Sequence, residues 1–228
     1  MRIAVIGVNQ GLGLVLSRLI AEKGHTVYAA HLGKTPAEVS EAAKRFPGYK
    51  PVEFDVTNEA MAETAAGIIS RDGGGLDALV TVAGILTDSD RTRLITEADI
   101  GDLRKALEIN TVGAAIVIKH FHGLVKDGGK FIAVTSEAGS LTNIGEKYPG
   151  YSVSKAAQNK LTAIFAKTVS RYAVYALHPG RMNTVMGRND AQIEPEESAE
   201  GIYKIISGEK KPPANTWFIN YRGEAMEI

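Results

Sequence analysis

The chain has no cysteine among its 228 residues. That excludes a disulfide framework, a cysteine nucleophile and every thiolate metal site. It also lacks a surplus of either charge: 26 basic side chains stand against 26 acidic ones, and neither half hides a strong excess. Phosphate recognition needs a basic surplus, so nucleic acid is excluded as a partner. Long apolar runs are missing too. No stretch approaches the roughly 20 apolar residues that span a bilayer, which leaves no membrane partner. The opening Met1-Arg2-Ile3-Ala4-Val5-Ile6 is too short for a secretory signal core and runs straight into a glycine loop. A soluble, cytoplasmic protein is expected. No metal is expected either: His120 and His122, two apart on a helix, point to different faces.

What remains is an ordinary globular composition, 44% hydrophobic and 23% charged, and a length that suits one domain over residues 1–228. Apolar β-rich runs at 2–6, 26–30, 51–54, 78–82, 130–135, 173–177 and 216–219 read as strands. They are nearly continuous rather than alternating, as strands buried on both faces are. Helical patterns lie between them. One has Leu12, Val15, Leu16, Leu19 and Ile20 at helical spacing; Thr35-Pro36-Ala37-Glu38 reads as a capping box; others cover 58–70, about 97–125, 151–170 and 195–207. This alternation predicts an α/β fold, a single Rossmann-like doubly wound domain whose mostly parallel seven-stranded sheet carries helices on both faces. Gly73-Gly74-Gly75 precedes a strand and reads as a plain turn.

The first strand ends in Gly7-Val8-Asn9-Gln10-Gly11-Leu12-Gly13, where a helix opens at once. Glycines there permit a sharp turn and a close approach to a pyrophosphate, and a helix N-terminus offers free N–H groups. The alternative is a tight turn with no ligand. After the second strand comes Ala30-His31-Leu32-Gly33-Lys34, with no acid until Glu38. An acid at that point would bind adenosine ribose hydroxyls; its absence, with His31 and Lys34 near, tilts the reading to NADP(H) over NAD(H). Both could equally be solvated loop residues. Asp55, past the third strand, could bind an adenine amino group, cap a helix, or both.

Tyr151 and Lys155 stand at i and i+4 of a helix, on one face. A phenol with its pKa near 10 is a poor acid or base alone, and a neighbouring cation favours the phenolate. On composition alone such a pair is often mere surface. Its company changes that. Ser136 closes the fifth strand, at the sheet end where ligands bind, and Asn110 interrupts an otherwise apolar helical pattern.

Taken together, Gly7-x-x-x-Gly11-x-Gly13, Asp55-Val56, Ala83-Gly84, Asn110, Ser136, Tyr151-x-x-x-Lys155 and Pro179-Gly180 resemble the short-chain dehydrogenase/reductase family over essentially the whole chain. The branch most similar is that of the C-factor and sniffer-type carbonyl reductases, through Leu177-His178-Pro179-Gly180, Thr184-x-Met186-Gly187 and Trp217-Phe218-Ile219-Asn220-Tyr221. The resemblance implies hydride transfer between a nicotinamide and a small carbonyl or alcohol. Tyr151 would act as general acid and base, Ser136 would hold the substrate oxygen, and Lys155 would bind the nicotinamide ribose and depress the tyrosine pKa. Asn110 would place a relay water. Asn9, Gln10 and Leu12 would join the glycines at the cofactor. The segment 179–184, with Pro179, Gly180, Met182 and Thr184, would grip the carboxamide. A homodimer or homotetramer through the long helices is implied as well. The alternatives are a nucleotide-binding sensor with weak catalysis and an epimerase or dehydratase with a retained cofactor. Two departures stand out: Thr81-Val82-Ala83-Gly84 replaces Asn-Asn-Ala-Gly, and Ile6 replaces a threonine. Segments 85–96, 137–150 and 182–193 would shape the substrate pocket.

Overall fold

A computed structural model describes residues 1–187 and 191–228; the part of the expected pocket segment at 188–190 lies outside the described residues. Seven strands, β1 (Arg2–Ile6), β2 (Thr26–His31), β3 (Tyr49–Glu53), β4 (Leu76–Thr81), β5 (Val125–Val134), β6 (Ala173–His178) and β7 (Phe218–Asn220), form one sheet in the order β3-β2-β1-β4-β5-β6-β7. Every pairing is parallel, so the sheet is more uniform than expected from sequence. Strand direction and pleat divide β1 between two cores. Ile3 and Val5 pack in one cluster with α1 (Gly11–Glu22), α2 (Ala37–Arg45) and α8 (Pro195–Ser207). Ala4 and Ile6 pack in the other with α3 (Glu59–Arg71), α6 (Gly113–Phe121) and α7 (Pro149–Thr168). Leu16, Ile20, Val117 and Phe121 are fully buried on these helices, which is why each apolar stripe faces the sheet.

The strand order reverses between β1 and β4, whose C-terminal ends open a crevice there, the usual place for a ligand in such sheets. Thr81-Val82 sits at this point. There the backbone ties the two strands: Val82 N and Ala83 N both donate to the Ile6 carbonyl, at 2.8 and 3.0 Å.

Several local expectations are corrected. The capping box at Thr35 does not form. Thr35 Oγ1 meets the His31 ring at 3.3 Å instead, Pro36 takes the cap position, and α2 starts at Ala37. Asp55 does not cap α3; its Oδ1 accepts from Thr57 N and Oγ1 (2.9 and 2.8 Å), and Asn58 caps the helix through Met61 N. The long helix expected over 97–125 is divided into α5 (Ile100–Leu107), a π-helical turn (Glu108–Val112) and α6. β5 begins at Val125, ahead of the expected 130, with a register shift against β4 that the Gly128-Gly129 pair allows.

Candidate active site

The glycine loop is sterically specified. Gly7 has φ +97°, and a Cβ there would stand 2.6 Å from Ala83 N; one on Gly13 would meet the Gly7 carbonyl oxygen at 2.0 Å. At Gly11 (φ +57°) a Cβ would meet only Thr184, at 3.7 Å, so this turn of backbone lies open. Gln10 at the N-cap of α1 makes no side-chain capping bond, and the first turn holds no acid. The helix thus presents uncapped N–H groups and its positive dipole end, chemistry that fits a pyrophosphate. Asn9 fixes the loop beside β2 through two bonds to the Leu32 backbone, at 2.9 and 2.8 Å.

A cleft of about 800 Å³ runs from this loop across the sheet end. Its walls include Gly7, Asn9, Gln10, Gly11, Leu12, Asp55, Val56, Ala83, Gly84, Tyr151, Lys155, Pro179, Met182 and Thr184. Gly13, His31, Lys34, Asn110, Ser136 and Gly180 are not on the wall. Gly13 and Gly180 shape it from behind: a Cβ on Gly180 would reach 2.6 Å from Ile193 Cδ1. His31 is 3% exposed. One ring nitrogen meets the Gly33 carbonyl oxygen and the other Thr35 Oγ1, so it braces the loop and does not face a phosphate. Lys34 is exposed on the same loop.

At the other end of the cleft, the π-helical turn places Asn110 fully inside the protein. Its Oδ1 accepts from Ile85 N (2.7 Å), and its Nδ2 donates to Ile85 O and Ser154 Oγ, both at 2.9 Å. The amide side chain therefore locks the chain after β4 to helix α7. Lys155 projects from α7 into the interior, 4% exposed, and its Nζ donates to Gln158 Oε1 at 2.7 Å and to Val134 O at 3.3 Å. No carboxylate pairs with it among the described residues, and burial pulls its pKa down to about 7. A Cβ on Gly84 would press on both Asn110 Oδ1 (3.1 Å) and Lys155 Nζ (3.4 Å).

Tyr151 is half-buried, with Ser136 in hydrogen-bonding reach of its phenol. The sequence led us to expect a depressed tyrosine pKa; here burial holds it above the ordinary value. The Ser136 bond and the positive charge of Arg91 oppose that rise, while Glu137 adds to it. Lys155 Nζ lies 5.7 Å from the ring centroid, and its charge is not among the causes of the shift.

Two residues of this site had escaped the sequence reading. Asp90, in the short helix α4 (Asp88–Thr92), is 8% exposed and accepts from Gly150 N and Tyr151 N at 2.8 and 2.7 Å. It secures the first turn of α7 from 60 residues away, and no spacing rule reveals that. Gln158 was legible in principle, being a polar residue at i+3 from Lys155 on the same helix face.

The sequence profile of the short chain dehydrogenase family matches residues 1–194. The chain belongs to the short-chain dehydrogenase family. It is therefore an oxidoreductase. Among curated family members it is similar to 1-hydroxy-2-glutathionyl-2-methyl-3-butene dehydrogenase of Rhodococcus, 30% identical over 211 residues, covering 90% of this chain and 89% of the relative. Among solved structures it is similar to the carbonyl reductase Sniffer of D. melanogaster, with TM-score 0.89 and 25% identity over 100% of this chain and 99% of that one. A carbonyl reductase of Pseudomonas aeruginosa in complex with NADP shares the fold at TM-score 0.84 and 22% identity, over 100% of this chain and 99% of that one. No helix among the described residues of this short-chain dehydrogenase is long and apolar enough to cross a membrane.

Proposed function

We propose that the protein reduces a small carbonyl compound, or oxidises the corresponding alcohol, with Tyr151 as the general acid and base. The observation that carries this reading is the shared wall: Tyr151 and Lys155 line the same cleft as the uncapped N-terminus of α1. A bound nicotinamide cofactor supplies or accepts the hydride. Ser136, within hydrogen-bond reach of the phenol, steadies Tyr151, and Tyr151 delivers the proton in reduction. Burial keeps the phenol protonated at neutral pH, the form a general acid needs. Lys155, with a pKa of about 7, can pass a proton toward Tyr151 and hold ribose hydroxyls. Asn110 contributes by fixing Ile85 and Ser154 around them. Asp55, Val56, Pro179, Met182 and Thr184 take the adenine and carboxamide ends.

NADP(H) is the preferred cofactor in this reading. The support is Lys34 on the β2–α2 loop and the absence of an acid between Ala30 and Lys34. Exposed Val153 and Ile164, eleven residues apart on one face of α7, support a homodimer or homotetramer.

The test is nucleotide titration followed by turnover of an aldehyde and ketone panel. NADPH should bind more tightly than NADH, and Tyr151→Phe should remove turnover by roughly 10²-fold or more while leaving NADPH binding nearly intact. Turnover unchanged in that variant overturns the catalytic assignment, and a clear NADH preference overturns the cofactor assignment.

A further inference from the structure

Helix α7 buries the polar side chains of Ser154, Lys155, Gln158, Asn159 and Thr162. Such groups need partners. Ser154 Oγ donates to Tyr151 O at 2.7 Å and Thr162 Oγ1 to Gln158 O at 2.8 Å, bonds within the helix. Asn159 Nδ2 donates to Gly139 O at 3.4 Å and ties the helix to the turn after β5. Gln158 differs, because its amide is spent on Lys155. Its Oε1 accepts from Lys155 Nζ at 2.7 Å, its Nε2 donates to Val134 O at 3.4 Å, and Nζ donates to the same Val134 O at 3.3 Å. The three bonds close a ring between α7 and the end of β5. Val134 O fixes which way the amide faces, with its carbonyl oxygen turned to the lysine. Packing alone would be served by a leucine, which has no polar atoms to desolvate.

This ring uses two of the directions in which Nζ can carry a hydrogen. An ammonium has three N–H groups, and a neutral amine has two and a lone pair. The two N–H groups common to both forms are committed to Gln158 and Val134. The third position, which gains and loses the proton, is left for the cleft that Lys155 lines. The other elements around the lysine bring no charge to it. Gly84, after β4, stands beside Nζ and Asn110, and Gly139, after β5, packs on the Lys155 backbone. Tyr151, with its ring centroid 5.7 Å from Nζ, is the titratable side chain that faces it. Burial alone lowers the lysine pKa; no charged group among the described residues adds to that shift or opposes it.

We propose that Gln158 is a positioning residue for Lys155: its amide aims the exchangeable proton of Nζ into the cleft and, being neutral, leaves that proton free to move. A carboxylate in its place would pin the lysine as a cation, and an apolar side chain would leave an N–H of the ammonium unpaired. In reduction Tyr151 gives its proton to the substrate oxygen. The N–H bond of Lys155 that faces the cleft then breaks as the phenol O–H forms again, and Nζ takes a proton back from water. This inference rests on the carbonyl-site reading above.

The experiment follows the lysine itself, by NMR of the full chain carrying carbon-13 at the lysine Cε positions. The Lys155 signal is the one missing from Lys155→Met. In native protein it should titrate at about pH 7. Gln158→Glu should move that titration up by about one unit or more, and Gln158→Leu should move it down. Either variant decides by itself. The pH dependence of kcat for ketone reduction with NADPH should follow, its alkaline fall shifting up in Gln158→Glu and down in Gln158→Leu. A side chain that only packs would change stability and leave both pH profiles in place. A Lys155 signal that titrates at the native pH in a folded variant overturns the proposal. A moved signal with an unmoved kcat profile overturns the part of Gln158 in turnover. A complete absence of Tyr151-dependent turnover overturns the carbonyl-site reading, and the NMR titration still decides whether Gln158 governs the Lys155 proton.

Discussion

Lys155 is the side chain whose surroundings ask most of it. Buried without a carboxylate partner, it has a pKa of about 7 against an ordinary lysine value of 10.5. The folded state therefore binds fewer protons than the unfolded state between those values, and stability rises with pH across that window. The cost is complete below about pH 7 and fades toward pH 10.5. Replacing Lys155 with Met removes the titrating group. Unfolding free energies from denaturant titration should show Lys155→Met above the native protein at pH 6, by an amount on the order of a few kcal/mol, with the gap shrinking as pH rises. A gap that stays constant from pH 6 to pH 10 would show that the lysine is charged in the folded state throughout. Tyr151 and Lys155 were both evident in the sequence because their relation is one helical turn. The direction of their pKa shifts was not, because it depends on how much water the whole fold removes, and a one-turn spacing carries no information about that.

Among the elements, α7 carries Tyr151, Ser154, Lys155 and Gln158, and its first turn is anchored from outside. Tyr148 precedes it with φ 61°, a left-handed conformation uncommon for a non-glycine residue. Asp90 then takes the Gly150 and Tyr151 N–H groups. Asp90→Ala leaves both without this buried acceptor, which should cost about 1–3 kcal/mol of stability. It should also lower kcat more than it raises KM for NADPH, because it loosens the turn that aims the phenol and leaves the glycine loop alone. Asp90→Asn keeps one acceptor oxygen and should recover part of kcat. Equal kcat in native protein and Asp90→Ala would reduce Asp90 to a helix cap with no bearing on the chemistry. The glycine loop, the strands and most helices were legible because their signals are local runs. The π-helical turn at Asn110, the cap of α7 and the failed cap at Thr35 were not. In each case a distant or competing hydrogen bond decided the outcome: Ile85 and Ser154 for Asn110, Asp90 for α7, His31 for Thr35.

At the scale of the whole molecule, one parallel sheet takes its strands from nearly the full length of the chain and sets the two ends of the cleft at fixed separation. The exposed apolar side chains on α7 make self-association the expected state. Light scattering on the purified protein should give a mass of two or four times 24.3 kDa. A single-chain mass at micromolar concentration would remove the dimer and tetramer from consideration.

The position of β3 and β7 at the two borders of the sheet has a consequence for how copies can meet. β3 contains Pro51, which offers no N–H to a neighbouring strand, and carries the charges of Lys50 and Glu53. β7 is only three residues long, and the chain folds back over it: Asn220 N reaches Glu224 O and Met226 N reaches Phe218 O, each at 3.0 Å. One border is blunted by composition and the other is shielded by the polypeptide itself. Copies of this protein are thereby steered away from zipping their sheets into an open-ended stack. Association through helix faces, which ends once those faces are covered, is the route that remains.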